Sequence, residues 1–277
     1  MGSQRESRTG TTQDALPASN WKKWSNFVPL FVALVVMSEI TYSGRLDVAK
    51  NVAKLGVLIS QASPAHQEEP PTIQSLVQLS KNELEVSPFF EKFLDQIQTP
   101  EIKLRFENLV NSTNGSKIKM VIYCIGSIKT EEQSRLQLSL ALLLKEKLDR
   151  IFNGNIEIFD PILTAEEKQA LSDMGFKVLR KDEKGGRKVN KPTVFFMPCC
   201  SLPLYVNLAE KNQGAKLKNV VILGNGFKTW KFDVISEKLN GYVKPLIFLA
   251  ENFADEFEVD STSLEAFNQF SWHFGSV

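Results

Sequence analysis

Six residues stand where this chain could do chemistry. Gly126 and Ser127 follow the apolar run MVIYC (120–124), Asp160 ends EIFD (157–160), Cys199 and Cys200 follow FFMP (195–198), and Asn225 lies in LGNGF (223–227). A glycine-serine turn that opens a helix can offer free amides and partial positive charge to a phosphate. The full Gly-x-Gly-x-x-Gly spacing is absent, so a tight strand-to-helix turn is the plainer reading. Asp160 precedes Pro161, which restricts it to extended backbone. Its carboxylate could serve as acid, base or ligand contact, or as a turn and cap residue. Cys199 and Cys200, with Cys124 nearby across a sheet, could hold a thiophilic metal or haem iron, because soft thiolates suit both. The plainer reading is three buried thiols packing as small apolar groups.

The remaining chemistry is sparse. His66 and His273 are the two imidazoles; His66 reads as solvated in a linker, and His273 reads as packed between Trp272 and Phe274. No Cys-x2-Cys pair exists to nucleate zinc, and three cysteines do not make a disulfide framework. A reducing compartment with free thiols is therefore expected. The sequence assigns no catalytic residue and no metal ligand, and it names no cofactor.

The elements that must position these residues follow from periodicity. Ser87-Pro88 can start a helix, with Phe89, Phe90, Phe93, Leu94 and Ile97 at helical spacing. Downstream, apolar runs at 120–124, 156–159, 177–179, 193–197 and 220–223 alternate with helical patterns over 136–148, 165–174 and 204–210, and a late apolar run lies at 246–249. Continuous apolar runs alternating with helices predict a mostly parallel, Rossmann-like sheet in a three-layer α/β domain with helices on both faces, beginning near residue 86. Right-handed crossovers place all the parallel strand ends on one rim, where ligands of such sheets bind. All six residues fall on that rim. The stretch 177–191 carries seven basic and two acidic residues and reads as a solvated loop or a partner patch.

Composition sets the outer limits. With 277 residues, 43% hydrophobic and 23% charged, the chain is an ordinary globular protein of about one to two domains. Its net charge of +1 lacks the basic field of a direct nucleic-acid binder. Residues 1–72 read as a poorly ordered region with a Pro-rich linker at 60–71 and one hydrophobic stretch, 27–37. Eleven apolar residues fall short of the ~20 needed to span a bilayer, so membrane contact is not expected.

The blocks YCIGSI (123–128), SRLQLSLAL (134–142), EIFDP (157–161), FFMPCC (195–200), LGNGF (223–227) and FSWHF (270–274), in this order, resemble the plant Sensitivity to Red Light Reduced family over residues 73–277. The resemblance implies a regulator in circadian clock input and red-light signalling through phytochrome B, in nucleus and cytoplasm, with protein partners and no established catalysis. Relatives linked to haem metabolism imply an alternative, an enzyme or haem-handling protein using Asp160, Cys199 and Cys200; a small-molecule ligand at the rim stays open. The family pattern usually has Gly where Cys124 stands, His where Cys199 stands and Ser where Gly226 stands.

Overall fold

The computed structural model describes residues 70–112, 117–228 and 243–276. The hydrophobic stretch 27–37, His66 and nearly all of the Pro-rich linker lie outside the described residues. Among the described residues, no helix is long and apolar enough to cross a membrane.

In chain order the elements are α1 (Ile73–Glu85), α2 (Pro88–Gln98), α3 (Pro100–Asn111), β1 (Ile118–Tyr123), α4 (Glu132–Lys147), β2 (Phe152–Phe159), α5 (Ala165–Asp173), β3 (Lys177–Val178), β4 (Thr193–Met197), α6 (Leu202–Lys211), β5 (Val220–Asn225), α7 (Val243–Asn252), β6 (Asp255–Glu258) and β7 (Phe270–Phe274). The strands form one sheet in the order β3-β2-β1-β4-β5-β7-β6. The first five are parallel, and β6 and β7 are antiparallel additions at one edge. The expected three-layer α/β architecture is what forms.

Two cores explain why the strands are apolar on both faces. Met120, Ile122, Val194, Phe196, Val221 and Leu223 pack with helices α1 to α5 on one side. Val121, Tyr123, Phe195, Met197, Val220 and Ile222 pack with α6, α7 and Val189 on the other. Helix α4 is buried nearly all round, as its RLQLSLALLL run requires. It lies between the sheet and α1, where the Ser139 hydroxyl donates to the Arg135 and Val77 carbonyls at 2.7 and 3.4 Å.

Ser87 caps α2 as its sequence suggests, accepting the Phe90 amide at 3.2 Å. The helix then buries Phe89, Phe90, Phe93 and Ile97. Each such aromatic contributes roughly 2 kcal/mol through burial. Phe89 stacks on Phe267 at 4.3 Å between centroids, while Phe93 and Phe106 contact Trp272 of β7 at 5.9 and 5.4 Å.

The fold takes in α1, upstream of the strand-helix alternation and inside residues 73–277, because Ile73, Val77 and Leu84 are buried against the first core. Two features differ from the sequence reading. The run 246–249 belongs to helix α7, with Leu246 and Leu249 buried. The chain then returns to the sheet through β6, whose acidic DEFE sequence suits an exposed edge. There Arg105 pairs with Asp255 at 2.7 Å and lies over the Phe257 and Phe274 rings.

His273 is packed, as its neighbours imply. Its Nε2–H donates to the Asn225 carbonyl at 3.0 Å, and its ring stacks on Phe227 at 3.8 Å. Burial pushes its pKa down to about 3, with the Lys228 charge adding and the Asn225 hydrogen bond opposing. The unfolded chain binds a proton below about pH 6.5 that the native state refuses until near pH 3. Stability must therefore fall as pH drops through that window. The His273 share between pH 7 and pH 5 is about 2 kcal/mol. His273→Gln should shrink the pH 7 to pH 5 loss measured by urea unfolding by about that amount; an unchanged loss contradicts this account.

Candidate functional site at the strand-end rim

The turn after β1 is built on unusual backbone. Cys124 and Gly126 both have positive φ, 59° and 80°. This conformation is cheap for glycine and unfavourable for residues with a Cβ. A Cβ on Gly126 would also lie 2.6 Å from the Ser134 hydroxyl, so glycine is required there twice over. The same geometry gives a physical reason for glycine at position 124 in the family pattern.

Asp160 holds this turn. Its Oδ2 accepts the Gly126 amide at 3.0 Å and its Oδ1 accepts the Ile162 amide at 3.0 Å, with the residue only 5% exposed. Ser127 donates its hydroxyl to Glu167 at 2.7 Å. Glu167 is fully buried and also accepts the Lys129 amide, the Thr164 amide and the Thr164 hydroxyl at 2.8 to 3.0 Å. Burial pushes the Glu167 carboxyl up, but these hydrogen bonds outweigh it and hold the group below the usual carboxylate range. A phosphate at this turn would have to displace the protein's own carboxylates. It would also meet Glu131 and Glu132 at the start of α4.

The β4 and β5 ends complete the rim. Cys124 and Cys200 form a disulfide with Cα atoms 5.3 Å apart, which corrects the expectation of three free thiols. The physical reason is strand order: β1 and β4 are parallel neighbours, so their carboxyl ends emerge side by side. As a disulfide sulfur, Cys200 has no thiolate to offer a metal or haem. Cys199 is a free, exposed thiol in weak contact with the Gln137 amide at 3.8 Å. Partial burial of the thiol pushes its pKa up, with the Glu131 and Asp160 charges adding and Gln137 opposing, so it is not an activated nucleophile. Among the described residues, no group of three or more His, Cys, Asp or Glu side chains is arranged to hold a metal.

Asn225 is fixed from three sides. Its amide N–H donates to the Tyr205 hydroxyl at 3.0 Å, its carbonyl accepts from His273, and its side-chain amide reaches the Cys200 carbonyl at 3.5 Å. Tyr205 in turn donates to the Met197 carbonyl. Gly224 permits this approach, because a Cβ there would lie 2.5 Å from the Tyr205 oxygen and 2.7 Å from the Met197 carbonyl.

The basic stretch 177–191 is more than a solvated loop. Arg187 makes a two-pronged contact with Glu183 at 2.8 and 3.0 Å and also bonds Glu157, which Lys177 meets at 2.8 Å. The Tyr123 hydroxyl donates to Glu183. The Arg187 side chain is only 18% exposed, and the buried amide of Asn212 ties the loop down through the Arg187 carbonyl and the Val189 amide. Burial alone would lower the Arg187 pKa, but Glu183 and Glu157 drive it up, so this cation stays charged and paired.

All six predicted rim residues thus lie at adjacent strand ends. Sequence reasoning missed Glu167, Gln137, Tyr205 and the Glu183–Arg187 pair. Glu167 was signalled by the Thr164-x-x-Glu167 capping box, which forms in full. Gln137 was signalled as one polar residue in an otherwise leucine-rich run; it is buried and donates to the Ala266 carbonyl at 2.9 Å. Nothing in the spacing of Tyr205 or Arg187 marked their contacts.

Comparison with known proteins bears on the whole domain. The SRR1 domain model matches residues 90–274. The chain is 34% identical over 208 residues to Protein SENSITIVITY TO RED LIGHT REDUCED 1 of Arabidopsis thaliana, covering 74% of each chain. It is 35% identical over 119 residues to an SRR1-like protein of Mus musculus, covering 42% of this chain and 47% of the other. Among solved structures, a Leishmania major SAM-dependent methyltransferase is similar over 75% of this chain and 87% of its own, at 11% identity and a TM-score of 0.34.

The left-handed backbone at Cys124 and its crosslink generate a paired prediction. Cys124→Ser loses the disulfide and keeps the strained backbone, costing about 3 kcal/mol relative to the oxidised protein. Cys124→Gly loses the disulfide but relieves the backbone, and should be more stable than Cys124→Ser by about 1 kcal/mol in urea unfolding. Equal stability of the two variants, or the reverse order, contradicts the strain.

Proposed function

The chain belongs to the SRR1-domain family, and we propose that it is a signalling regulator acting in circadian clock and red-light input, through phytochrome, on the expression of clock-controlled genes. The observation that carries this is the 34% identity to the Arabidopsis protein over 74% of both chains. It works through contacts with protein partners of light or clock signalling in nucleus and cytoplasm, with no direct binding of nucleic acid and no membrane attachment.

The rim geometry supports interaction over turnover. General acid–base and nucleophilic catalysis need positioned groups of tuned pKa that remain available to substrate. Here Asp160 is committed to two backbone amides, Ser127 to Glu167 and Cys200 to Cys124, while the Cys199 thiol is pushed toward its neutral form. Gly126, Ser127, Asp160 and Asn225 then serve to shape the rim.

The test is complementation of a plant lacking its own family protein with the full chain and with Cys199→His. Equal restoration of clock-controlled transcript rhythm under red light by both is the expected result. Rescue by Cys199→His alone, or by neither, overturns the reading. Native mass spectrometry of the purified full chain that finds stoichiometric haem, nucleotide or metal favours the ligand-handling alternative instead.

A further inference from the structure

The rim holds all three cysteines of the chain, one bonded pair and one free thiol next to it in sequence. The two bonded sulfurs are not equivalent. Cys124 is half-buried in the turn after β1, whereas Cys200 is 3% exposed. Of the two residues, Cys124 is the more open to a soluble nucleophile. Cys124 is also held in left-handed backbone, so cleaving the crosslink removes one of the constraints that keep the turn there. Cys200 stands two residues before the ten-residue helix α6, whose N-cap Ser201 makes no side-chain capping bond. The helix dipole favours negative charge there, which suits Cys200 as the leaving thiolate.

We propose that the Cys124–Cys200 bond is a reversible thiol–disulfide exchange site for a low-molecular-weight thiol of the glutathione class, entered at Cys124. The incoming thiolate attacks the Cys124 sulfur and forms a mixed disulfide. The Cys124–Cys200 bond breaks, and Cys200 leaves with the electron pair and then takes a proton from water. A second thiolate attacks the sulfur of the first thiol in the mixed disulfide. This releases the small-molecule disulfide and leaves Cys124 as a thiolate that is protonated in turn. Two thiols are oxidised and one protein disulfide is reduced. Reduction unties the ends of β1 and β4 and loosens the turn that Asp160 holds through Gly126. Cys199 takes no part in the exchange. This inference stands independently of the signalling reading, since it concerns only the purified chain.

The experiment uses the full-length chain with its disulfide formed and all small-molecule thiols and disulfides removed, then exposed to excess reduced glutathione at neutral pH without denaturant. Alkylation counted by intact mass should rise from one labelled cysteine to three, and hydrogen exchange over residues 125–130 should quicken by roughly tenfold while the rest of the sheet is unchanged. Cys199→Ser should pass from no label to two at the same rate. Three labels before reduction, or one label persisting until denaturant is added, overturns the proposal. So does a collapse of the rate in Cys199→Ser, which would make Cys199 the exchanging thiol.

Discussion

The hydrogen bond from the Gly126 amide to the Asp160 carboxylate fixes the rim on which the other contacts depend. It joins the end of β1 to the end of its parallel neighbour β2, and the second oxygen of the same carboxylate closes the turn after β2 through Ile162. With the turn held there, Ser127 reaches Glu167, and Glu167 gathers the amides of Lys129 and Thr164. A buried carboxylate costs several kcal/mol unless its lone pairs are filled. These two are filled by backbone amides and by the Ser127 and Thr164 hydroxyls. The chain has, in effect, bound its own anions where a phosphate would sit.

The other half of the rim follows from sheet order. Placing β1 beside β4 brings Cys124 to Cys200, and placing β4 beside β5 brings Met197 and Asn225 within reach of the one hydroxyl of Tyr205. The antiparallel strand β7 then sets His273 against the Asn225 carbonyl from the far side. Below the rim, Glu183, Arg187 and Glu157 clamp the loop before β4 onto Tyr123. Most polar groups in these positions satisfy one another, the buried His273 Nδ1 being left without a partner among the described residues, and Cys199 is the one exposed thiol outside the disulfide.

The parallel part of the fold was legible because its signal is local. Runs such as TVFFM and VVIL have no polar face, and a strand with two buried faces needs none. The placement of Asp160, Cys199, Cys200 and Asn225 on one edge followed from handedness alone. What stayed hidden depends on which strands become neighbours. The Cys124–Cys200 bond spans 76 residues of sequence, and only the order β1-β4 makes it. Likewise Arg187 reads as one more lysine-loop charge until Glu157, thirty residues earlier, is placed beneath it. Strand β6 was missed because an acidic edge strand carries no apolar run, and the helix α7 run at 246–249 is too short for periodicity to separate helix from strand.

The rim is closed on the protein's own carboxylates. Amide hydrogen exchange at Gly126, resolved by NMR in the native chain and in Asp160→Ala, reads that closure out. The account predicts a protected Gly126 amide in the native protein and a loss of protection of at least about tenfold in the variant, with β1 itself still protected. A Gly126 amide that exchanges freely in the native protein, or one that stays equally protected without the carboxylate, would contradict it.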